Sequence, residues 1–600
     1  MRKRYYFFFF SLFFSLLLFH FSLRAAILPL KEIQPGMKGK GLSVFQGKTV
    51  EEFEVEILGV LHNIQPQRNI ILARLKSPTI DKTGVLSGMS GSPVYVNGKL
   101  IGAVAISFPY AKEPIAGITP IEEMMAIQSQ TLPKSSFAPR VSFRKYLYLK
   151  DLLDFYQDVF PVSQISSLDG KALSLLHPPL IFSGFSAQVF NKIKPYFAQM
   201  GFSPILSGSS GQELKILTPP EMRLKPGDAV GVQLVSGDLN ISAVGTVTLV
   251  DGNTVLAFGH PLYNLGAVDY AMTKAEVLAV VPSVSASFKL AEVGALIGRF
   301  TQDRTAGVVG EVGRMPHFVP VNVSLFSAKG EIKEFKLKIV DDKILTPLYL
   351  NVALLSLLSS EERAVGDLSL EMRGNIYLEN GRDIKLEDLF SGNFDASIND
   401  LSGLLTAVVY FLTNNEFKDL SIHKIDLKIR ASEQVKYSYL EKVWLDKYDV
   451  FPGERIQVKV YTRNFRGQSV LQEVGLMAPP LPAGSEFYLI VADALAMQQI
   501  ELAQYKTRGF MPRSLTHLLR VLSNLRKNNR IYFKIMAAKP GLFLKGEELP
   551  NLPPTMKMMF TSPRAAMSIP IELEKSTLGE YQYPVPYVFK GAAIIPIKIK

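Results

Sequence analysis

The amino-acid sequence predicts a mainly β protein with α-rich insertions: two small β units in the first 345 residues and β-sandwich-like modules after 432. Three observations carry this reading. Phe53, Val55 and Ile57 alternate with Glu54 and Glu56, the period of a half-buried strand. Short apolar runs are punctuated by turn signals such as Asn97-Gly98, Asp251-Gly252-Asn253 and Phe451-Pro452-Gly453. Finally, 600 residues with 47% hydrophobic content exceed what one core serves, and about 100 to 200 residues per domain gives about three to five domains.

Residues 27–134 form the first β unit. Ile70 to Leu72, Val94 to Val96 and Leu100 to Val104 read as strands, and Asn97-Gly98 as the two-residue hairpin joining the last two. Thr119-Pro120-Ile121-Glu122 then reads as a helix start, with Thr119 as cap and Glu122 closing a capping box. Residues 135–215 read as an α-rich insertion, with helical patches at Tyr146 to Val159 and Phe185 to Met200. Strands return over 216–345, at Ala229 to Leu234, Ala243 to Leu249, Thr254 to Phe258, Phe318 to Leu325 and Glu331 to Ile339. A mixed α/β connector over 346–431 follows an apolar helical stretch at Leu345 to Leu358, and 432–600 is the sandwich-like region. Within it Leu515, Leu518, Leu519, Leu522 and Leu525 have helical spacing, and Lys506 to Lys534 carries eight basic residues and no acidic one. That stretch reads as a solvated helix face packed on a sandwich, or as a contact for anionic lipid or an acidic partner.

Arg2, Lys3 and Arg4 precede a Phe/Leu run that ends on Ala25 and Ala26, the build of a secretory signal over residues 1–26. The apolar run is also long enough for an uncleaved N-terminal anchor, so an exported protein of the periplasm or cell envelope is expected, with membrane proximity through this segment. There is no cysteine, which excludes disulfides, thiolate metal sites and cysteine nucleophiles. Of the formal charge of +12, Arg2, Lys3, Arg4 and Arg24 supply four, and the remainder gives no argument for nucleic acid. No P-loop, zinc spacing or dinucleotide fingerprint occurs, so neither cofactor nor metal is expected.

Gly88-Met89-Ser90-Gly91-Ser92-Pro93 is the segment that carries chemistry. A serine attacks only if a base takes its proton and backbone N–H groups await the oxyanion. A glycine two residues before Ser90 lets the chain aim the Gly88 and Ser90 amides at one point, and Gly91 leaves room behind it. The plain alternative is an ordinary Ser/Gly turn. Strands on both sides favour the first reading, and Gly-x-Ser-Gly-x-Pro ahead of an Asn-Gly-Lys hairpin resembles chymotrypsin-like peptidases.

Val50 to Ile57, Lys82-Thr83-Gly84, Gly88 to Pro93, Asn97 to Val104 and Ile121 to Met125 together resemble the serine half of the SpoIVB-type peptidase family. Those are chymotrypsin-like serine endopeptidases of bacteria. Among seven histidines, His260 stands apart, in Gly259-His260-Pro261 after the strand Val255 to Phe258. The segment Ala257 to Glu311 is similar, more loosely, to the histidine half of the same family. The resemblance implies a chymotrypsin-like double β-barrel with permuted halves, because Ser90 precedes His260 by 170 residues. It implies a polypeptide substrate cleaved by Ser90 with His260 as base and the Gly88 and Ser90 amides as oxyanion hole. The family's triad acid lies in an Asp-Pro pair, and the matching pair here is Ser77-Pro78. Asp81 is the nearest replacement, with Asp228, Asp251 and Asp269 as others. A catalytically silent scaffold that binds or assembles through the same fold is the competing expectation, since the acid is unassigned.

Overall fold

The computed structural model describes residues 26–600 apart from 109–110, 129–164, 169–170, 209–216, 219–220, 285, 362–365, 380, 416, 418–419, 506–513, 545–546, 551 and 563–569. The leader before Ala26, the helical patch Tyr146 to Val159, and Lys506, Arg508 and Arg513 therefore lie outside the described residues.

The alternation around Phe53 builds a barrel. The strands are β1 (Lys38–Gln46), β2 (Thr49–Gln65), β3 (Arg68–Lys76), β4 (Pro93–Val96), β5 (Lys99–Ser107) and β6 (Ile115–Pro120). They pair in the order β4-β1-β2-β3-β6-β5, and β5 returns to β4, so six antiparallel strands close. Phe53, Val55 and Ile57 point inward, with Ile71, Val94, Ile101 and Ile118 in the same cluster, while Glu52 and Glu54 face out. Asn97 and Gly98 both have positive φ, +50° and +74°, the turn that this dipeptide favours. Two short helices flank the ring, α1 (Ile80–Thr83) and α2 (Ile121–Met125). β7 (Ile165–Leu168) and β8 (Lys171–Leu175) extend the β5 edge.

The helix start expected at Thr119 is one residue early. Pro120 is the residue before α2 and no side chain caps it, because Thr119 still belongs to β6 and its hydroxyl donates to Gly259 O at 2.7 Å. A tertiary acceptor has won over the local cap, and Glu122 accepts from Leu30 N at 3.2 Å instead of closing a box.

β9 (Pro179–Ser183) and β10 (Ser203–Ser207) form a parallel pair around α3 (Ala187–Gln199), whose cap Ser186 accepts from Val189 N. The next strands are β11 (Ala229–Gly237), β12 (Asn240–Asp251), β13 (Thr254–Ala257), β14 (Gly266–Val281), β15 (Phe288–Arg304) and β16 (Gly307–Val312). Their antiparallel pairings run β11-β12-β13-β16-β15-β14 and return to β11, a second circuit of six. From β11 the sheet continues into β17 (Phe318–Phe326), β18 (Ile332–Val340), β19 (Asp367–Leu378), β20 (Asp383–Asn393) and β21 (Ile422–Ser432), ordered β18-β17-β21-β19-β20.

Two apolar helices cover this extension, α4 (Leu345–Glu361) and α5 (Phe394–Thr413). α5 is long and apolar enough to cross a membrane by composition, yet 72% of its apolar window is buried inside the protein against α4, β19 and β20. Inside that packing Asn351 Nδ2 donates to Thr406 Oγ1 at 2.9 Å, while Asn351 Oδ1 stays buried without a partner.

Beyond residue 436, sheets of four and five strands share one buried cluster, including Leu445, Val458, Phe487, Phe533 and Ile597. The helix Leu515–Ser523 does not lie on these sheets: Leu518, Leu519 and Leu522 join the core of the preceding sheet, beside β20. Of the basic residues around it, Arg526, Lys527, Arg530 and Lys534 are ion-paired with Glu501, Glu387 or Glu580. The pairs of Lys527 and Arg530 with Glu387 tie the C-terminal sheets to β20.

Leu405 is fully buried in α5. Leu405→Ala should lower stability by about 2–5 kcal/mol through lost contacts and an unfilled cavity; the fall in the melting transition checks it.

Candidate active site

The Gly88 to Ser92 turn belongs to the first ring, but the second ring holds it. Ser90 O accepts from Thr246 N at 2.8 Å, Gly88 O from Thr246 Oγ1 at 3.0 Å, and Gly91 O from Thr248 Oγ1 at 2.7 Å. On the other side Ser87 bridges Phe288 at the start of β15, through Ser87 N to Ser287 O at 2.8 Å and Lys289 N to Ser87 O at 3.0 Å. Two bonds from its own ring complete the frame, Gly91 N to Val104 O at 2.8 Å and Val104 N to Ser92 O at 3.0 Å.

Glycine is required twice here. Gly88 and Gly91 have φ of +95° and +94°, where an L side chain is strained. A Cβ on Gly91 would also stand 2.0 Å from Thr246 O and 2.4 Å from Phe258 N, both backbone atoms of the opposing ring. For the amides of Gly88 and Ser90 no acceptor occurs among the described residues. Those two N–H groups remain free to receive an oxyanion.

His260 approaches from the seam between the rings. Phe258 N donates to Thr246 O at 3.3 Å, and Gly259 O takes the Thr119 hydroxyl. The same short segment thus touches the strand that grips Ser90. His260 Nδ1 lies 2.7 Å from Pro261 O. A carbonyl only accepts, so Nδ1 carries the hydrogen and Nε2 keeps the lone pair that a general base needs. Asp303 on β15 stabilises the loop after it, accepting from Leu262 N, Tyr263 N and Asn264 N at 2.8, 2.7 and 3.0 Å. Burial pushes this carboxyl up to about 6 against the pull of those amides.

The contact of His260 Nδ1 is a backbone carbonyl, and none of the aspartates raised from the sequence meets His260. Asp81 is exposed on α1. Asp228 accepts from Lys225 N, Asp251 is exposed at the end of β12, and Asp269 accepts from Arg299 and His317 N. Asp303 escaped the sequence reading because nothing marks an isolated acid in a buried strand as a loop anchor.

Ser90 and His260 are 0% and 1% exposed, and neither Ser90 Oγ nor His260 Nε2 has a hydrogen-bond partner, so the two are not bonded to each other. Arg68 and His177 act on the imidazole from outside. Arg68 starts β3 opposite the β6–α2 junction, and its Nε lies 3.2 Å from Glu123 Oε2, while Glu123 Oε1 accepts from Asn69 N at 2.9 Å. Leu176 N, next to His177, donates to Ala105 O at 2.9 Å. Burial first, then the charges of His177 and Arg68, push His260 down to about 4, with the Pro261 bond opposing. The imidazole is therefore neutral, and able to take a proton, throughout the neutral range. No cluster of three His, Asp or Glu able to hold a metal occurs among the described residues.

Residues 22–125 match the family model described as SpoIVB peptidase S55, a stretch that contains Ser90 and the whole first ring but not His260. The match supports a serine peptidase in general. No curated protein and no solved structure matches the chain.

Two outcomes follow from this geometry. Gly91→Ala should destabilise the seam by about 3 kcal/mol, since both the left-handed backbone and a backbone clash oppose the methyl group; a lowered melting temperature with loss of any Ser90 reactivity is expected. For His260, the folded value of about 4 lies below the ordinary 6.5. The unfolded chain then takes the proton first, so stability is complete above about pH 6.5 and falls toward pH 4, by about 3 kcal/mol. Asp303 works in the opposite sense between its ordinary value and about 6. His260→Gln should be less acid-sensitive than the wild type by that 3 kcal/mol, read from urea unfolding at pH 6.5 and 4.

Proposed function

We propose that this protein is an exported serine endopeptidase that works through an acyl-enzyme, with a permuted pair of β rings as its core. Ser90 Oγ attacks the scissile carbonyl, His260 Nε2 accepts the serine proton and returns it to the leaving amine, and the Gly88 and Ser90 amides receive the oxyanion. The observation that carries this reading is the coincidence, at one seam, of two acceptor-free amides, a hydroxyl and an imidazole whose tautomer leaves Nε2 unprotonated. The family match over the serine half adds to it. What supports export is the basic and apolar leader ending at Ala26.

A carbonyl at Nδ1 orients the ring but offers less to the imidazolium than a carboxylate does. Removing the acid from a triad costs about 10⁴-fold in rate, so a low turnover is expected here. The closed state must also open, since a peptide cannot reach groups that are 0% and 1% exposed. The same burial, with no bond between serine and histidine, favours the second reading, a silent peptidase-like scaffold that binds or assembles.

Labelling by a fluorophosphonate probe separates the two. Under the peptidase reading the full chain is labelled at Ser90, Ser90→Ala abolishes the label, and His260→Ala lowers its rate at least about a thousandfold. An unlabelled wild type, or labelling that survives Ser90→Ala, supports the scaffold.

A further inference from the structure

Lys289, the second residue of β15, is fully buried beside the nucleophile turn, and nothing in the mechanism above uses it. Its stem fills the space next to Gly88: a Cβ there would lie 3.1–3.2 Å from Lys289 Cβ, Cγ and Cδ. Its Nζ lies 2.8 Å from Ser43 Oγ, and Ser43 Oγ lies 3.0 Å from Ser92 Oγ, two residues after the nucleophile. All three side chains are 0% exposed. Lys289 therefore touches the turn at its entry through Ser87 O and Gly88, and at its exit through Ser43 and Ser92.

We propose that Lys289 is a positioning residue for the nucleophile turn, and that its uncharged amine, bonded through Ser43 to Ser92, keeps the Gly88 and Ser90 amides aimed at one point. This rests on the peptidase reading of that turn. The partners around Nζ favour the uncharged form. An ammonium has three hydrogens to place and no lone pair. Around Nζ stand Ser43 Oγ and the face of the Phe45 ring, whose centroid is 5.6 Å away, both on β1; the ring attracts a cation only weakly compared with the carboxylate that is missing from contact, and the paired residue on β14 is the apolar Val280. Glu51 on β2, the register partner of Ser43, is the charged group that acts on it. Burial pushes the amine down to about 7, with Glu51 pulling the other way.

An uncharged amine can accept from Ser43, whose oxygen accepts from Ser92, a single relay in which the two N–H groups of the amine have no acceptor among the described residues. Protonation reverses the first bond and adds to the same two unmatched N–H groups a charge that no carboxylate among the described residues pairs in contact, a cost met by shifting the stem that supports Gly88. Loss of function on acidification should then begin near pH 7, well before His260 takes a proton at about 4.

The test is the pH profile of fluorophosphonate labelling at Ser90 in the full chain, from pH 5 to 9. In the wild type the rate should fall about tenfold per unit below pH 7. Lys289→Met keeps the stem and removes the titration: whatever its rate at pH 8, its profile should be flat down to pH 5.5. Ser43→Ala takes away the acceptor of the charged form and should move the limb to lower pH. A limb near 7 that persists in Lys289→Met, or a wild type without one, overturns the proposal and leaves the peptidase reading standing. Hydrogen exchange of the peptide spanning residues 86–92, followed by mass spectrometry and corrected for intrinsic rates, gives an independent readout. Its protection should drop at least about threefold between pH 8 and 6 in the wild type and not in Lys289→Met. If that drop occurs in a protein that is never labelled, the positioning role holds and the peptidase reading falls; if protection is pH-independent, the positioning role falls.

Discussion

Thr246 makes the contact on which the site depends. Through its amide and its hydroxyl it fixes Ser90 O and Gly88 O, and its own carbonyl receives Phe258 N two residues before His260. One residue of the second ring thus places both the serine-bearing turn and the imidazole-bearing loop. The glycines obey this contact rather than create it: Gly91 has no room for a side chain because Thr246 O already occupies the space. The turn is therefore a tertiary structure, formed only when two separate sheets meet.

That explains what the sequence makes legible. A tight turn that presents a serine has local requirements, and Gly88, Gly91 and Pro93 display them within six residues. The Asn97-Gly98 hairpin is local as well, and it folds with the two positive φ values its residues favour. Thr119 misleads because its hydroxyl finds Gly259 O, 140 residues away, where a local rule expects a cap. The partner of His260 Nδ1 could not be read at all, since a backbone carbonyl carries no residue signature. The closure of the second ring was equally silent. It needs β11 to meet β14, a pairing between strands with two others between them in sequence, and strand composition does not specify such partners.

The chemistry of the seam is governed by what is missing from it. His260 has the guanidinium of Arg68 as a positive neighbour and no carboxylate on its ring, while burial keeps nearby His177 on its neutral side, so its neutral form is favoured first by burial and then by charge. Neutrality suits a base that must accept a proton, yet the same surroundings oppose the imidazolium that forms once it has done so. On the proposed reading, such a base stays neutral yet is a weak proton acceptor until the field around it changes. Glu123, which faces Arg68 and also holds Asn69, is the carboxylate placed to alter that field if the end of the β2–β3 hairpin moves.

The order of the two rings along the chain has a consequence for the cell that makes it. Synthesis proceeds from the N-terminus, and domains fold as they emerge. The serine turn is synthesised first, whereas the groups that shape it come much later: Thr246 follows Gly88 by 158 residues, and Ser43 waits 246 residues for Lys289. Throughout that interval the serine has neither its frame nor its base. On the proposed peptidase reading, sequence order alone then provides latency while the chain is being made.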